Sequence, residues 1–114
     1  MSDSRLLIVA ELHALAGRVA ELRALLHELA EGSRLEPQCL DFRVLAATEP
    51  AELVLLSSWT DEAALRSHYS SAHYRRYRQN VGPLLARPSD VLVHYVGSSV
   101  RALDPDPPDP EMLD

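Results

Sequence analysis

Trp59, His68 and His73 have the spacing W-x8-H-x4-H, and their side chains could together carry out acid–base chemistry. We expect His68 near the end of one helix and His73 in the first turn of the next. A helix C-terminus stabilises a cation and an N-terminus disfavours one, so His68 should favour imidazolium and His73 the neutral base. Such a pair suits proton abstraction from a phenol or keto-enol substrate. The alternative is structural, because histidines often cap helices and a lone Trp often anchors a core.

The elements that must position these residues follow from the hydrophobic pattern, which predicts the order β-α-β-β-α-α-β. Leucines at helical spacing predict an amphipathic first helix that ends at Gly32. Thr60 is the expected N-cap of a helix that runs to about His68, and Ser71 can cap another that ends at Gly82-Pro83. Apolar runs and alternation predict four strands, over residues 5–13, 39–46, 52–59 and 89–96.

This order is typical of an α+β, ferredoxin-like split βαβ fold, with one antiparallel sheet and helices on one face. The outer strands are apolar on both faces; Leu7 and Val9 lie opposite Ile8 and Ala10. Because the open face needs a cover, we expect a homodimer, in the form of a dimeric α+β barrel. Residues 1–100 are assigned to this domain, and residues 101–114 to an acidic, proline-rich flexible tail.

Charge and composition exclude several classes of protein. The formal net charge is −6, of which the tail, with one Arg and five acids, carries −4. No basic stripe is interleaved with aromatics, so we expect no nucleic-acid partner. The longest apolar run, Leu6 to Ala10, is far shorter than the roughly 20 residues of a membrane span. We therefore expect no membrane association, and a cytoplasmic location.

The sequence also lacks the residues that several cofactor chemistries require. The single cysteine, Cys39, forms no internal disulfide, and no Cys/His cluster has zinc-site spacing, so we predict no metal site. The chain contains no lysine, which excludes Schiff-base chemistry and P-loop phosphate binding. We expect the protein to use no cofactor.

Other side chains could bind a small-molecule substrate. His13, near the end of the first strand, could lie at a pocket rim, and Tyr69 and Tyr77 could line an aromatic pocket, although Tyr77 also belongs to a core stripe. With Phe42 of the second strand they are our candidate substrate-binding residues. A basic run at Arg75, Arg76 and Arg78 is more typical of a solvated face than of an anion clamp.

Over roughly Leu6 to Val96 the sequence resembles the antibiotic biosynthesis monooxygenase family, small dimeric α+β barrel proteins. The resemblance lies in the first strand ending at Glu11 and in the segments CLDFRVL, SSW and WTDEAALRSHYSSAHY. The W-x8-H-x4-H spacing is similar to two branches, the quinol monooxygenases and the isomerase of a phosphorylated quorum-sensing signal. In both, the second histidine follows Thr-Pro, where this chain has Ser71-Ala72. The haem-degrading branch fits poorly, because Tyr77-Arg78 and Leu12 stand where its marker residues would fall.

The resemblance implies a cofactor-independent monooxygenase that acts on a quinol or a polycyclic aromatic, polyketide-like molecule. Such enzymes work without metal, flavin or haem, on substrates whose carbanion or phenolate can reduce oxygen. By this analogy His73 is the catalytic base, and His68 and Trp59 position the substrate or stabilise charge. Two alternatives stay open: an isomerase using the same histidines, and a non-catalytic small-molecule-binding or stress-responsive barrel. A phosphorylated substrate needs an Arg cluster at the pocket mouth, whereas a quinol needs apolar walls.

Overall fold

The fold is known from a computed structural model that describes residues 4–100. Its elements follow the predicted order, and the proposed tail at residues 101–114 lies outside the described residues. None of the described helices is long and apolar enough to cross a membrane. The elements are β1 (Arg5–His13), α1 (Val19–Arg34), β2 (Cys39–Ala46), β3 (Glu52–Trp59), α2 (Glu62–Tyr69), α3 (Ala72–Val81), a 3-10 turn (Gly82–Leu84) and β4 (Asp90–Val96).

The four strands form one sheet in the order β2-β3-β1-β4, and every neighbouring pair is antiparallel. This confirms the predicted ferredoxin-like α+β fold. The core lies between one face of the sheet and the helices, because alternate residues of β1 are buried against them, Leu6, Ile8, Ala10 and Leu12. Leucines of α1, Leu22, Leu26 and Leu29, close the core from the other side.

The register between β2 and β3 brings distant parts of the chain to the same edge of the sheet. Cys39, the first residue of β2, pairs with Trp59, the last residue of β3. The Thr60 N–H donates to the Gln38 carbonyl oxygen at 3.2 Å, which joins the loop before β2 to the start of the segment leading into α2. The register shifts between Cys39 and Asp41, and Leu40, which lies between them, is exposed.

Two helix ends differ from the prediction. Gly32 does not end α1, which continues to Arg34, because residues beyond Gly32 still find helical partners: the Leu35 N–H donates to the Gly32 carbonyl oxygen. Thr60 is not the N-cap of α2; Asp61 is, and its carboxylate accepts the Ala64 N–H at 2.8 Å. An ionised Asp is the stronger acceptor for the free N–H groups of a first turn.

The predicted cap at Ser71 is confirmed. Its hydroxyl oxygen accepts the Tyr74 N–H at 3.2 Å, and its O–H donates to the His68 carbonyl oxygen at 2.6 Å. One serine therefore joins the end of α2 to the start of α3. This junction fixes the two helix ends that carry His68 and His73.

The opposite face of the sheet is not covered by the helices. It carries the apolar side chains that alternate with the core residues, including Leu7 and Val9 of β1 and Leu56 of β3. At the β4 edge, Leu92 is 57% exposed. The expectation of apolar residues on both faces is thus confirmed, and this bare sheet face has no cover within residues 4–100. The expectation that β1 is an outer strand was wrong, because β1 lies between β3 and β4.

Candidate functional site

A single carboxylate oxygen is hydrogen-bonded to both histidines of the predicted motif. The Oε2 atom of Glu36 lies 2.7 Å from Nδ1 of His68 and 2.6 Å from Nε2 of His73. An ionised carboxylate only accepts hydrogen bonds, so both ring nitrogens must donate to it. The three side chains, hereafter the Glu36 cluster, bring together residues separated by 32 and 37 positions in the chain.

The position of Glu36 follows from the loop between α1 and β2. Its N–H donates to the Ser33 carbonyl oxygen at 3.0 Å, and its own carbonyl oxygen accepts the Cys39 N–H at 3.1 Å. Pro37 is the second residue of the turn that this last bond closes, where the fixed φ of proline is favourable. The loop is therefore held at both ends, and its carboxylate faces the junction between α2 and α3.

Close packing of α1 against α3 brings His73 to the carboxylate. The His73 ring lies directly on Gly32, where a Cβ atom would fall 2.7 Å from its Cγ atom. No side chain fits at that distance. Close approach of the two helices thus requires a glycine in the last turn of α1, and this contact offsets the low helix propensity of glycine.

His68 is almost fully buried among aromatic side chains. Its residue exposure is 3%, and its ring lies 4.4 Å from the Trp59 ring and 5.1 Å from that of Tyr74, between centroids. Trp59 is itself buried, and its indole N–H donates to the Ser57 hydroxyl at 3.2 Å. The His68 imidazole therefore packs against the Trp59 indole.

Burial lowers the pKa of His68, and it outweighs the hydrogen bond and the charge of Glu36, which both raise it. A charge on His73 would lower this pKa further. The expectation that a helix C-terminus makes His68 an imidazolium is therefore corrected, because desolvation is the larger effect here. A neutral His68 that donates through Nδ1 carries its lone pair on Nε2.

A cavity opens beside His68, between the sheet and helices α2 and α3. Its volume is about 80 Å³, within about 540 Å³ of unfilled space that includes the open solvent at its mouth. This volume is below the roughly 300 to 1,000 Å³ of a site that surrounds a drug-sized ligand, so a ligand of that size would extend out of the mouth. Its walls are mainly aliphatic and aromatic; the lining residues are Ile8, Ala10, Leu29, Phe42, Leu55, Ser57, Leu65, His68, Tyr69, Tyr74, Tyr77, Arg78, Ser89 and Val91.

Comparison with known proteins identifies the family. Residues 5–80 match the model of the family described as antibiotic biosynthesis monooxygenase. The chain belongs to this family. The Mycobacterium tuberculosis protein Rv0793 is 39% identical over 72 residues, which cover 63% of this chain and 71% of Rv0793.

Solved structures agree with this assignment. The structure of Rv0793 has a TM-score of 0.78 at 30% identity, over 89% of this chain and 100% of that chain. PA3566 from Pseudomonas aeruginosa has a TM-score of 0.76 at 24% identity, over 83% of this chain and 96% of that chain, and this likeness concerns the fold alone.

The structure of this family member separates the predicted site residues into three groups. Phe42, His68, Tyr69 and Tyr77 line the cavity. Trp59 and His73 lie behind that wall, in contact with His68 and Glu36 respectively. His13 is not brought to the cavity; its Nε2 atom accepts a hydrogen bond from Arg87 at 2.9 Å.

Neither Glu36 nor Gly32 stands out as a functional residue in the sequence. Glu36 lies in a short loop without a recognisable motif, and the helical pattern predicts Gly32 as a helix stop. Only the β2–β3 register, which sets Gln38 beside Thr60, could have placed Glu36 near the histidine motif.

The Glu36 cluster is also a group of potential metal ligands, with its three donor atoms within 4.8 Å of one another. A first-row metal would require each donor at about 2.0 to 2.2 Å, spread around a common centre. Here the carboxylate oxygen itself occupies the point between the two nitrogens, at hydrogen-bond distances. The cluster therefore fits a hydrogen-bonded role for the histidines, and a metal would have to displace both of these bonds.

The contact between Gly32 and His73 can be tested by adding one methyl group. We expect Gly32→Ala to lower the free energy of unfolding by about 1 to 3 kcal/mol, as overpacking does, despite the higher helix propensity of alanine. Gly97→Ala is the matched control, because nothing lies within 4 Å of a Cβ atom there. Urea unfolding measures both, and equal or higher stability of Gly32→Ala would contradict the proposed packing.

Proposed function

We propose that this protein is a cofactor-independent monooxygenase of a quinol or a polycyclic aromatic, polyketide-like small molecule, with His68 as the catalytic base. The observation that carries the proposal is the position of His68, a buried imidazole that lines an aromatic cavity and is hydrogen-bonded through Nδ1 to the Glu36 carboxylate. Membership of the family supports oxygenation as the reaction.

The geometry favours His68 over His73 as the base. His68 lines the cavity, whereas His73 is not among the lining residues. With Nδ1 bonded to Glu36, the free lone pair of a neutral His68 ring is on Nε2, the nitrogen that would accept the substrate's proton. Glu36 would fix that tautomer and stabilise the imidazolium once the proton has moved, as the carboxylate of a catalytic triad does.

The reaction needs only the substrate and oxygen. His68 removes a proton from an activated C–H or O–H group, and the resulting carbanion or phenolate is oxidised as it transfers electrons to oxygen. For a methylene substrate, oxygen forms a C–O bond with the carbanion and gives a peroxide anion. The His68 imidazolium then returns its proton to this peroxide. Loss of water then leaves a ketone, so that one oxygen atom enters the product and the other leaves as water.

The cavity walls suit such a substrate. The phenols of the wall, the buried Tyr77 and the partly exposed Tyr69, can supply donors for a developing oxyanion. Desolvation raises the pKa of Tyr69 and raises that of Tyr77 to about 12, so both stay protonated near neutral pH. Of the basic run on α3, only Arg78 lines the cavity, while Arg76 pairs with Glu28. The walls thus support a substrate that binds mainly through its aromatic rings, with one arginine for an anionic substituent, whereas an isomerase substrate that binds mainly through its phosphate would need an Arg cluster.

Oxygen consumption with a panel of quinols and anthrones tests the base. We expect His68→Ala to lower the rate about 10²- to 10⁴-fold, the usual contribution of a general base. Glu36→Gln should cause a smaller loss, because it keeps an acceptor but removes the charge that stabilises the imidazolium. His27→Ala is the control, since His27 is exposed on α1 and does not line the cavity.

Two outcomes would contradict this proposal. Uptake that is unchanged in His68→Ala but lost in His73→Ala would return the role of base to His73. No uptake by the wild-type protein with any substrate of the panel would contradict the monooxygenase and favour an isomerase or a binding protein.

We also propose that a second copy of the chain covers the bare sheet face. The side chains Leu7, Val9 and Leu56 form an apolar surface there, and a monomer of this size gains stability by burying it. The helices occupy the other face, so two such sheets can pack against each other without disturbing the cavities.

Light scattering on the protein as it elutes from a size-exclusion column tests the dimer. We expect the mass of two chains for the wild-type protein and the mass of one chain for Leu56→Glu, because the charge would be buried unpaired between the sheets. Leu35→Glu is the control, since Leu35 is 85% exposed and lies in a loop. A wild-type mass of one chain would contradict the proposal.

A further inference from the structure

The charges that line the cavity differ from those of the whole protein. The formal net charge of the chain is −6, yet no aspartate or glutamate lines the cavity. Its one permanently charged residue is Arg78. The nearest acid along β4, Asp90, precedes the lining residue Val91 and so lies on the opposite face of the strand. The cavity is therefore suited to a negatively charged ligand.

Arg78 is free to bind such a ligand. Arg76 and Arg66 pair with Glu28 and Glu62, whereas Arg78 forms no ion pair with any acid in residues 4–100. Tyr77 and Ser89 accompany it in the cavity wall, and the hydroxyl group of each can donate a hydrogen bond. A guanidinium with neighbouring hydroxyl donors is a common arrangement for binding carboxylate and phosphate.

Aromatic rings connect this group to His68. The Tyr74 ring centroid lies 5.1 Å from that of His68 and 5.8 Å from that of Tyr77, so the three rings form one wall. An aromatic ligand that packs on this wall would place one end at the His68 imidazole and the other at Arg78. The reacting group and the charged group would then be at opposite ends of the molecule.

We propose that Arg78, with the hydroxyl groups of Tyr77 and Ser89, binds an anionic substituent, and that the substrate is an aromatic acid whose carboxylate or phosphate lies away from the reacting hydroxyl. The inference rests on the proposed function only in placing the substrate in this cavity. The raised pKa of Tyr77 supports it separately, because a protonated phenol donates to an anion instead of repelling it.

Binding of unreactive probes tests the inference apart from turnover. Titration calorimetry on the full chain would compare 2-naphthol, 2-naphthoate and 2-naphthyl phosphate. We expect the better anionic probe to bind about tenfold more tightly than the neutral one, the effect of a charge-assisted hydrogen bond at a partly exposed site. A preference for 2-naphthoate would indicate a carboxylate substrate, and a preference for the phosphate ester a phosphorylated one.

Variants assign the effect to Arg78. The preference should disappear in Arg78→Gln, persist in part in Arg78→Lys, and remain in Arg75→Gln, which removes the same charge from an exposed position of α3 outside the cavity. Equal affinities for neutral and anionic probes, a preference that survives in Arg78→Gln, or no binding of the anionic probes would overturn the inference. Oxygen uptake that persists in any of these cases would leave the monooxygenase proposal standing.

Discussion

The arrangement of the site depends on a single carboxylate oxygen that accepts two imidazole N–H groups. Each of these short bonds fixes which nitrogen of its ring carries a proton, and together they join the α1–β2 loop to the junction between α2 and α3. The bonds require α3 to lie close to α1, which only a residue without a side chain at position 32 permits. Backbone packing and the protonation state of the site are therefore coupled.

Two opposing effects act on His68, and their balance decides its chemistry. Burial against Trp59 disfavours the cation, while the Glu36 carboxylate favours it. Without Glu36 the ring would be a weak base in an apolar wall, and without burial it would carry a proton over more of the neutral range. A base that is neutral before reaction and stabilised as a cation after it is what proton abstraction requires.

The sequence predicted the elements well because their patterns are local. The bounds of β1, β2 and β3 and the cap at Ser71 agree with the structure, since alternation and capping depend on neighbouring residues. The long-range contacts were not predictable in the same way. Glu36 meets His68 only through the β2–β3 register, and the desolvation that reverses the expected charge of His68 comes from distant aromatic residues.

Ring-nitrogen NMR of ¹⁵N-labelled histidine, with the His68 signal assigned from His68→Ala, tests the central claim most directly. Near neutral pH we expect His68 to be neutral, with the proton on Nδ1 and a bare Nε2. Its titration should fall below the usual range, and lower still in Glu36→Gln, which removes the group that raises its pKa. A protonated His68 at neutral pH, a proton on Nε2 alone, or a titration unaffected by Glu36→Gln would contradict the account.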